Sequence, residues 1–161
     1  MGGWLRARAW EVVIASGRGA EALALAGIAG LAALLAPRMS FADAAMVDAE
    51  IKKLYGDKKF DSGKIKLDVP EIAENGLVVP INVEVESPMT DADYVKAVHV
   101  FADGNPLPGI VSYKFTPACG KAAASTRMRL AQTQNIICIA EMSNGSLYSA
   151  KASVKVTIGG C

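Results

Sequence analysis

The sequence has little of what a metal centre or a catalytic dyad needs. Among its 161 residues there are one histidine, His99, and three cysteines, and these form no cluster with metal-ligand spacing. The same shortage argues against a Ser-His-Asp or Cys-His catalytic set. His99 is more simply a packed or surface residue, and Asp91 and Asp93 are more simply a solvated turn. We therefore expect a protein that is not an enzyme and needs no metal or cofactor.

Positive and negative charges are nearly balanced. There are 17 Lys and Arg residues against 16 Asp and Glu, for a formal net charge of +1. A protein that binds nucleic acid usually carries a basic patch or stripe. Nucleic acid is therefore not an expected partner.

The one long apolar run is short for a membrane span. Positions 22–36 are 15 consecutive small or apolar residues, preceded by arginines, whereas a spanning helix needs roughly 20 residues. Small residues with cleavage options after Ala42 or Ala44 follow the run. This pattern predicts a signal peptide over residues 1–44, export, and no membrane attachment after cleavage. An uncleaved anchor is the alternative.

The segment after the predicted cleavage site has helical spacing. Over Ala45–Tyr55, the apolar residues Met46, Ala49, Ile51 and Leu54 suit one face of a short helix, and Gly56 is a plausible stop. The following polar stretch predicts a loop. We assign residues 45–66 to this helix and linker, 67–158 to the folded domain and 159–161 to a C-terminal arm.

From Leu67 the pattern changes to short β-type runs between turn residues. Apolar and polar residues alternate strictly from Ile81 to Glu86, which is typical of a strand with one buried face. Asn144-Gly145 predicts a type I′ hairpin turn. The predicted strands lie at Ile65–Val69, Leu77–Glu86, Tyr94–Phe101, Ile110–Phe115, Ser125–Leu130, Asn135–Ala140, Leu147–Lys151 and Ala152–Ile158.

About seven short strands with no helix among them favour an all-β fold, an antiparallel β-sandwich of immunoglobulin-like type. The Cys-Trp-Cys core of antibody domains is missing, because both tryptophans, Trp4 and Trp10, precede the predicted cleavage site. A short β-barrel is the alternative.

The last residues, Gly159-Gly160-Cys161, place a thiol on a two-glycine tether directly after a strand-like run. Glycine reaches backbone conformations closed to other residues, so this ending suits a flexible arm. A terminal thiol can enter the active sites of other proteins, and the thiolate is the reactive form of sulfur. This pattern predicts a covalent carrier. The alternative is a frayed terminus that happens to end in cysteine.

The three cysteines leave an odd one in a chain predicted to be exported, where disulfides persist. Cys138 lies in an apolar run and is expected in the core, whereas Cys119 is expected in a loop or at a strand end. A Cys119–Cys138 disulfide stays open. A thiol oxidoreductase built on these two is disfavoured, since the sequence has no Cys-x-x-Cys.

Several stretches, in this order, resemble the SoxY family, the sulfur-carrier subunits of the periplasmic thiosulfate-oxidising Sox system. The resemblance covers about two thirds of the chain and includes the terminal tether. The similar stretches are Pro70–Gly76, Val79-Pro80, Glu86–Thr90, Asp93–Lys96, Ala102–Pro106, Phe115–Ala118, Ala140–Ser143 and Val154–Cys161.

The resemblance implies an immunoglobulin-like fold, a periplasmic location and a heterodimer with a second sandwich subunit, SoxZ. It also implies that Cys161 carries covalent sulfur adducts and that Gly159 and Gly160 form its swinging arm. The implied partners that process these adducts are the SoxXA cytochrome, the SoxB thiosulfohydrolase and the SoxCD sulfane dehydrogenase. An alternative from another class is a non-catalytic interaction module whose terminal Cys161 makes only an intermolecular disulfide.

Two features depart from the family pattern. The family tail usually runs Gly-Gly-Cys-Gly-Gly, and we expect the native protein to carry two glycines beyond the printed Cys161. A carboxylate directly on that cysteine would disfavour the thiolate. The second departure is the additional pair Cys119 and Cys138.

Overall fold

The computed structural model describes residues 43–160. Within this range the chain forms one α-helix, one short 3-10 turn and eight strands. The helix α1 is Ala44–Tyr55 and the 3-10 turn η1 is Pro117–Cys119. The strands are β1 Ile65–Asp68, β2 Ile72–Asn75, β3 Val79–Val85, β4 Val95–Ala102, β5 Gly109–Lys114, β6 Ala122–Met128, β7 Gln134–Met142 and β8 Leu147–Ile158.

The strands form two sheets. One has three strands in the order β1-β3-β6, and the other has five in the order β2-β8-β7-β4-β5. The pairs are antiparallel except for β2 with β8, which run parallel. The predicted all-antiparallel arrangement is therefore wrong at this one pair.

A single apolar core lies between the sheets. The alternation predicted for β3 is present, because Val79, Ile81, Val83 and Val85 are all buried. Each such side chain contributes roughly 1.5–3 kcal/mol through removal from water. The same cluster includes β4, β7 and β8 of the other sheet through Val98, Val100, Cys138, Ala140 and Val154. The β-sandwich is confirmed, and the barrel alternative is wrong.

The helix α1 is present where the periodicity predicts it, although a different face is buried. Asp43 caps its N-terminus by accepting a 2.9 Å hydrogen bond from the Met46 N–H, and Gly56 ends it with a φ of 69°. The predicted face is correct only at Ile51, since Met46 and Leu54 are 42% and 47% exposed. The buried stripe instead has the spacing i, i+4, i+8, and it packs against aromatic and aliphatic side chains on the outer face of the larger sheet. Its members and their partners are Val47, Ile51, Tyr55, Phe60, Phe101, Ile137, Ile139 and Leu147.

Strand β2 is the element that the sequence pattern missed. The stretch Glu74-Asn75-Gly76 predicts a turn, and only Ala73 of this four-residue strand is buried. Its structure comes from pairing, because Ile72, Ala73 and Asn75 align with Lys155, Val156 and Ile158 of β8.

Three smaller predictions need correction. Strand β6 begins at Ala122 rather than Ser125, and the two predicted strands after residue 146 are one continuous strand, β8. The connection between β5 and β6 contains the 3-10 turn η1, although no helical segment was expected there.

The hairpin at Asn144-Gly145 is present, but it is not a type I′ turn. Such a turn needs positive φ at both central residues. Among residues 43–160 the sole non-glycine residue with positive φ is Met89, so Asn144 does not qualify. Gly145 has a φ of 82°, and its N–H donates to the Met142 carbonyl. The Met142 N–H donates to the Ser146 carbonyl. The result is a three-residue loop with glycine in the left-handed region.

The predicted signal peptide, residues 1–44, falls outside the described residues except for Asp43 and Ala44. Among the helices of the described part, none combines the length and apolar character needed to cross a membrane.

Candidate functional site

Strand β8 extends beyond its pairing with its main partner, strand β7. Pairing with β7 ends at Gln134 opposite Val154. Beyond that point the Lys155 N–H donates to the Glu71 carbonyl at 2.9 Å, and the Val156 N–H donates to Thr133 Oγ1 at 3.0 Å. The base of the tail is therefore held between β2 on one side and the segment before β7 on the other.

Two backbone hydrogen bonds link the tail to two loops, and a third links the loops to each other. The Gly76 N–H donates to the Ile158 carbonyl at 2.7 Å, and the Leu130 N–H donates to the Gly76 carbonyl at 2.8 Å. The Gly160 N–H then donates to the Leu130 carbonyl at 3.0 Å. We call the four residues Gly76, Leu77, Leu130 and Ala131 the tail cradle. Gly160 is buried in it, whereas Gly159 is exposed.

Close backbone packing explains why glycines occur at these positions. A Cβ atom at Gly160 would overlap the Leu77 nitrogen and the Gly76 carbonyl carbon, and one at Gly159 would overlap the Ala131 oxygen. A Cβ atom at Gly76 would overlap the Leu130 oxygen and lie 3.0 Å from the Gly160 nitrogen. The cradle and the tail thus fit only without side chains at these three positions.

The cradle is supported by a network of polar side chains. Asn105 Oδ1 accepts from the Ala131 N–H and from Gln134 Nε2, both at 2.9 Å, while its Nδ2 donates to the Arg129 carbonyl at 2.9 Å. Gln134, 4% exposed, accepts from the Gly104 N–H at 2.7 Å. The segment Asp103–Pro106 therefore also shapes the loop that carries Leu130 and Ala131.

Apolar side chains remain exposed around the base of the tail. Ile158 is 68% exposed and Ile72 is 61% exposed, and Leu77 and Val78 are also exposed by about half. Isolated exposed apolar residues are common on protein surfaces. These four differ because all of them belong to the end of β8, to β2 or to the connection that includes Gly76 and Leu77.

Cys161 lies outside the described residues, so its role as the sulfur attachment site stays a prediction. The swinging of Gly159 and Gly160 likewise stays a prediction. In the described residues both glycines pack against the cradle. A tail that needed only flexibility would not require this contact.

The other two cysteines have opposite environments. Cys138 is fully buried in β7, and burial raises the pKa of its thiol to about 12. Cys119 is exposed at the end of η1, where hydrogen bonds from the backbone and then the side chain of Thr116 lower the pKa of its thiol. Both thiols are free, so the Cys119–Cys138 disulfide alternative is wrong. The core position predicted for Cys138 and the loop position predicted for Cys119 are confirmed.

His99 is packed rather than poised for chemistry. Its ring lies edge-on to Tyr55, with centroids 5.8 Å apart, and its Nδ1 is 2.7 Å from Ser112 Oγ. Burial is the main cause that lowers the pKa of His99. Over residues 43–160, no group of three or more His, Cys, Asp or Glu side chains is arranged to hold a metal ion.

Asp93 belongs to a turn, as predicted. Its N–H donates to Thr90 Oγ1 at 3.2 Å, and its carbonyl accepts from the Thr90 N–H at 3.0 Å. These bonds lie next to Met89, whose φ is 51°. Asp91 is exposed, as a solvated turn predicts, whereas Asp93 Oδ1 is buried and has no hydrogen-bond partner among the described residues.

Sequence reasoning missed Gly76 and Asn105. Their contacts with residues far along the chain have no local signature in the sequence. The available signal was indirect, since Gly76 ends the first of the family-like stretches and Asn105 lies within another.

Comparisons with known proteins identify the family of this chain. A family model described as sulfur oxidation protein SoxY matches residues 51–161. The solved structure of the sulfur carrier protein SoxY from Chlorobium limicola f thiosulfatophilum is similar, with 32% identity, 72% of this chain and 100% of that chain covered, and a TM-score of 0.60.

Other similarities concern the fold alone. The superoxide reductase (neelaredoxin) of Ignicoccus hospitalis is 17% identical, with 58% of this chain and 80% of that chain covered and a TM-score of 0.53. No curated protein gave a match.

Proposed function

Since this chain belongs to the SoxY family of sulfur oxidation proteins, we propose that it is a covalent sulfur carrier of periplasmic thiosulfate oxidation, with its intermediates on Cys161. The observation that carries the proposal is that the family match extends to residue 161 and the 32%-identical relative is itself a sulfur carrier. The protein presents the adduct and partner enzymes transform it, so the chain is not an enzyme.

The environments of the cysteines support the tail as the attachment site. Cys138 is fully buried in the core, where its thiol stays protonated and inaccessible to partner enzymes. Cys119 is exposed but lies on a short turn within the body of the domain. A thiol that must enter several active sites needs a projecting segment, and Cys161 follows directly on the tail.

The chemistry assigned to Cys161 balances as follows. The thiolate and the sulfane sulfur of thiosulfate form a disulfide-type bond, and two electrons pass to the SoxXA cytochrome. Water then attacks the sulfonate sulfur in SoxB, which releases sulfate and two protons and leaves a persulfide on the carrier. In hosts with SoxCD, three waters and the removal of six electrons convert that persulfide sulfur to a sulfonate, with release of six protons.

The sandwich leaves room for the proposed SoxZ-like partner subunit. The outer strands are β2 and β5 in one sheet and β1 and β6 in the other. Unpaired strand edges are usually covered in native proteins, and a second sandwich can cover them by strand or face packing. We also propose the immunoglobulin-like classification, which the sheet composition of three strands facing five, with short loops, supports.

The test is intact-mass analysis of the protein purified from its native periplasm, before and after a reductant, with the adduct mapped to a peptide. We expect increments of sulfane sulfur or thiosulfonate on the peptide that contains residue 161. In a reconstituted system, Cys161→Ser should abolish thiosulfate-dependent loading, whereas Cys119→Ser should retain it.

The contrary outcomes are distinct. Loading that survives Cys161→Ser but is lost with Cys119→Ser would move the site to η1. An unmodified Cys161, or only a reducible homodimer through it, would favour the interaction module. The same mass measurement reports whether two further glycines follow Cys161.

A further inference from the structure

We propose that the tail cradle is a docking site for the protein's own tail, and that Gly76 is the positioning residue that makes docking possible. The inference deepens the proposed function, on which its purpose rests: the docked state fixes where the carrier cysteine emerges from the body between transfers. Gly76 acts through the tail backbone.

The first step is that docking is specific. The Gly160 N–H reaches the Leu130 carbonyl at 3.0 Å only because the two backbones approach without intervening side chains. Leu130 is 0% exposed, and its own N–H is bound to the Gly76 carbonyl. The acceptor is therefore held rigidly, in a position that an unstructured tail would not find by chance.

The second step is that docking is reversible at one point. Up to Ile158 the tail base is held by β2 pairing and by the buried Val154, so this part cannot leave without disrupting the sheet. Beyond Ile158, one backbone hydrogen bond from Gly160 holds the tail, and Gly159 is exposed. A net hydrogen bond contributes about 1 kcal/mol, so a partner's binding can release this segment.

The third step concerns reach. From Ile158 to Cys161 the chain advances three residues, which span at most about 10 Å when fully extended. While the Gly160 N–H is bound to the Leu130 carbonyl, two of these three residues are held beside the body of the domain. Release of Gly160 therefore increases how far Cys161 can reach into a partner's pocket.

The experiment measures amide exchange at Gly160 by NMR in the whole chain purified from its native host. In the wild type we expect the Gly160 amide to exchange about fivefold more slowly than in an unstructured peptide, as one net hydrogen bond allows. Gly76→Ala should remove this protection, because the new Cβ overlaps the Leu130 oxygen. The matched control is Gly109→Ala, where the added Cβ has no atom within 4 Å.

A second readout uses the thiol itself. In a Cys119→Ser background, Gly76→Ala should raise the rate at which a bulky maleimide labels Cys161 by about fivefold, and Gly109→Ala should not. If Gly76→Ala does not fold, Gly160→Ala tests the same contact from the tail side, where the overlap is with Gly76 and Leu77. It should likewise raise the labelling rate.

Unprotected exchange at Gly160 in the wild type, or equal labelling rates in all variants, would overturn the cradle. Neither result depends on sulfur loading. Conversely, a protected Gly160 in a protein that never acquires sulfur on Cys161 would reject the proposed function and leave the cradle standing.

Discussion

The side-chain oxygen of Asn105 accepts a 2.9 Å hydrogen bond from the backbone N–H of Ala131. This bond joins the connection between β4 and β5 to the loop that forms one wall of the tail cradle. The same oxygen also accepts from Gln134 Nε2. One amide side chain therefore holds together segments that are distant in sequence.

Replacing that amide should destabilise the protein. Asn105→Ala leaves the part-buried Ala131 N–H without its acceptor, whereas Gln134 Nε2 keeps the Gln132 carbonyl at 3.1 Å. One unsatisfied group costs about 1–3 kcal/mol, so we expect the free energy of unfolding, measured by urea denaturation, to fall by about that amount. The control is Asn144→Ala, which removes a single local bond to the Ser146 N–H in an exposed turn. A loss at Asn105 no larger than at Asn144 would contradict the supporting role.

The N-terminal cap of α1 discriminates between the two predicted cleavage sites. Cleavage after Ala42 retains Asp43, whereas cleavage after Ala44 removes the residue that caps the helix. We therefore expect mature protein to begin at Asp43, as determined by N-terminal sequencing. A mature chain that begins at Ala45 would show that the cap is not used in the exported protein.

The cap itself can be tested by substitution. Asp43→Ala should lower the free energy of unfolding by about 1 kcal/mol. Asp48→Ala, at an exposed position inside the same helix, should have no destabilising effect because alanine is the better helix former. Equal effects of the two substitutions in thermal or urea unfolding would argue against the capping bond.

The thiols Cys119 and Cys138 should differ sharply in reactivity. A small alkylating reagent at neutral pH should label Cys119 in the native protein and Cys138 only after unfolding, because the first is exposed and the second buried. Thr116→Val removes the hydroxyl that lies 3.7 Å from Cys119 Sγ and should slow that labelling. Peptide mass mapping measures both rates. Labelling of native Cys138 would show that the core opens readily.

Burial of Cys138 predicts an alkaline loss of stability. The pKa of its thiol is about 12 in the folded state against an ordinary value of 9.0. Between these values the unfolded chain binds fewer protons than the native one, so the free energy of unfolding falls as pH rises, by at most about 1.4 kcal/mol per pH unit. Below pH 9 this contribution is constant.

Urea unfolding between pH 8 and 11 measures that slope. Cys138→Ala should make it shallower, whereas Cys119→Ala should not, because the lowered pKa of the exposed Cys119 thiol acts with the opposite sign and below pH 9. Part of the slope remains in Cys138→Ala, because burial also raises the pKa of Tyr55 from 10.0 to about 12. An identical slope in Cys138→Ala and the parent would contradict the assignment to this thiol.

The local sequence pattern was sufficient to predict those elements whose side chains are buried in the core. Strand β3 alternates because every second side chain enters the core, and Cys138 was placed correctly because its neighbours are apolar. The family and the sandwich could also be predicted, since the resembling stretches span most of the folded part.

Where a partner segment decides the structure, local pattern was not enough. Strand β2 exists because β8 pairs with it, and its own four residues carry no strand pattern. The buried face of α1 is set by Phe60 and Phe101 beneath it rather than by the largest apolar residues of the helix. The docking of Gly160 on Leu130 likewise depends on three chain segments meeting, which spacing along the sequence does not reveal.

Strand β8 runs without interruption from Leu147 to Ile158. Twelve residues in extended conformation span about 40 Å, so the Ser143–Gly145 loop and the start of the tail lie at opposite ends of the domain. A fluorophore attached at that loop would be distant from an enzyme that binds the C-terminal tail. The loop is therefore a suitable attachment site for a reporter of complex formation, because labelling it leaves the tail unmodified.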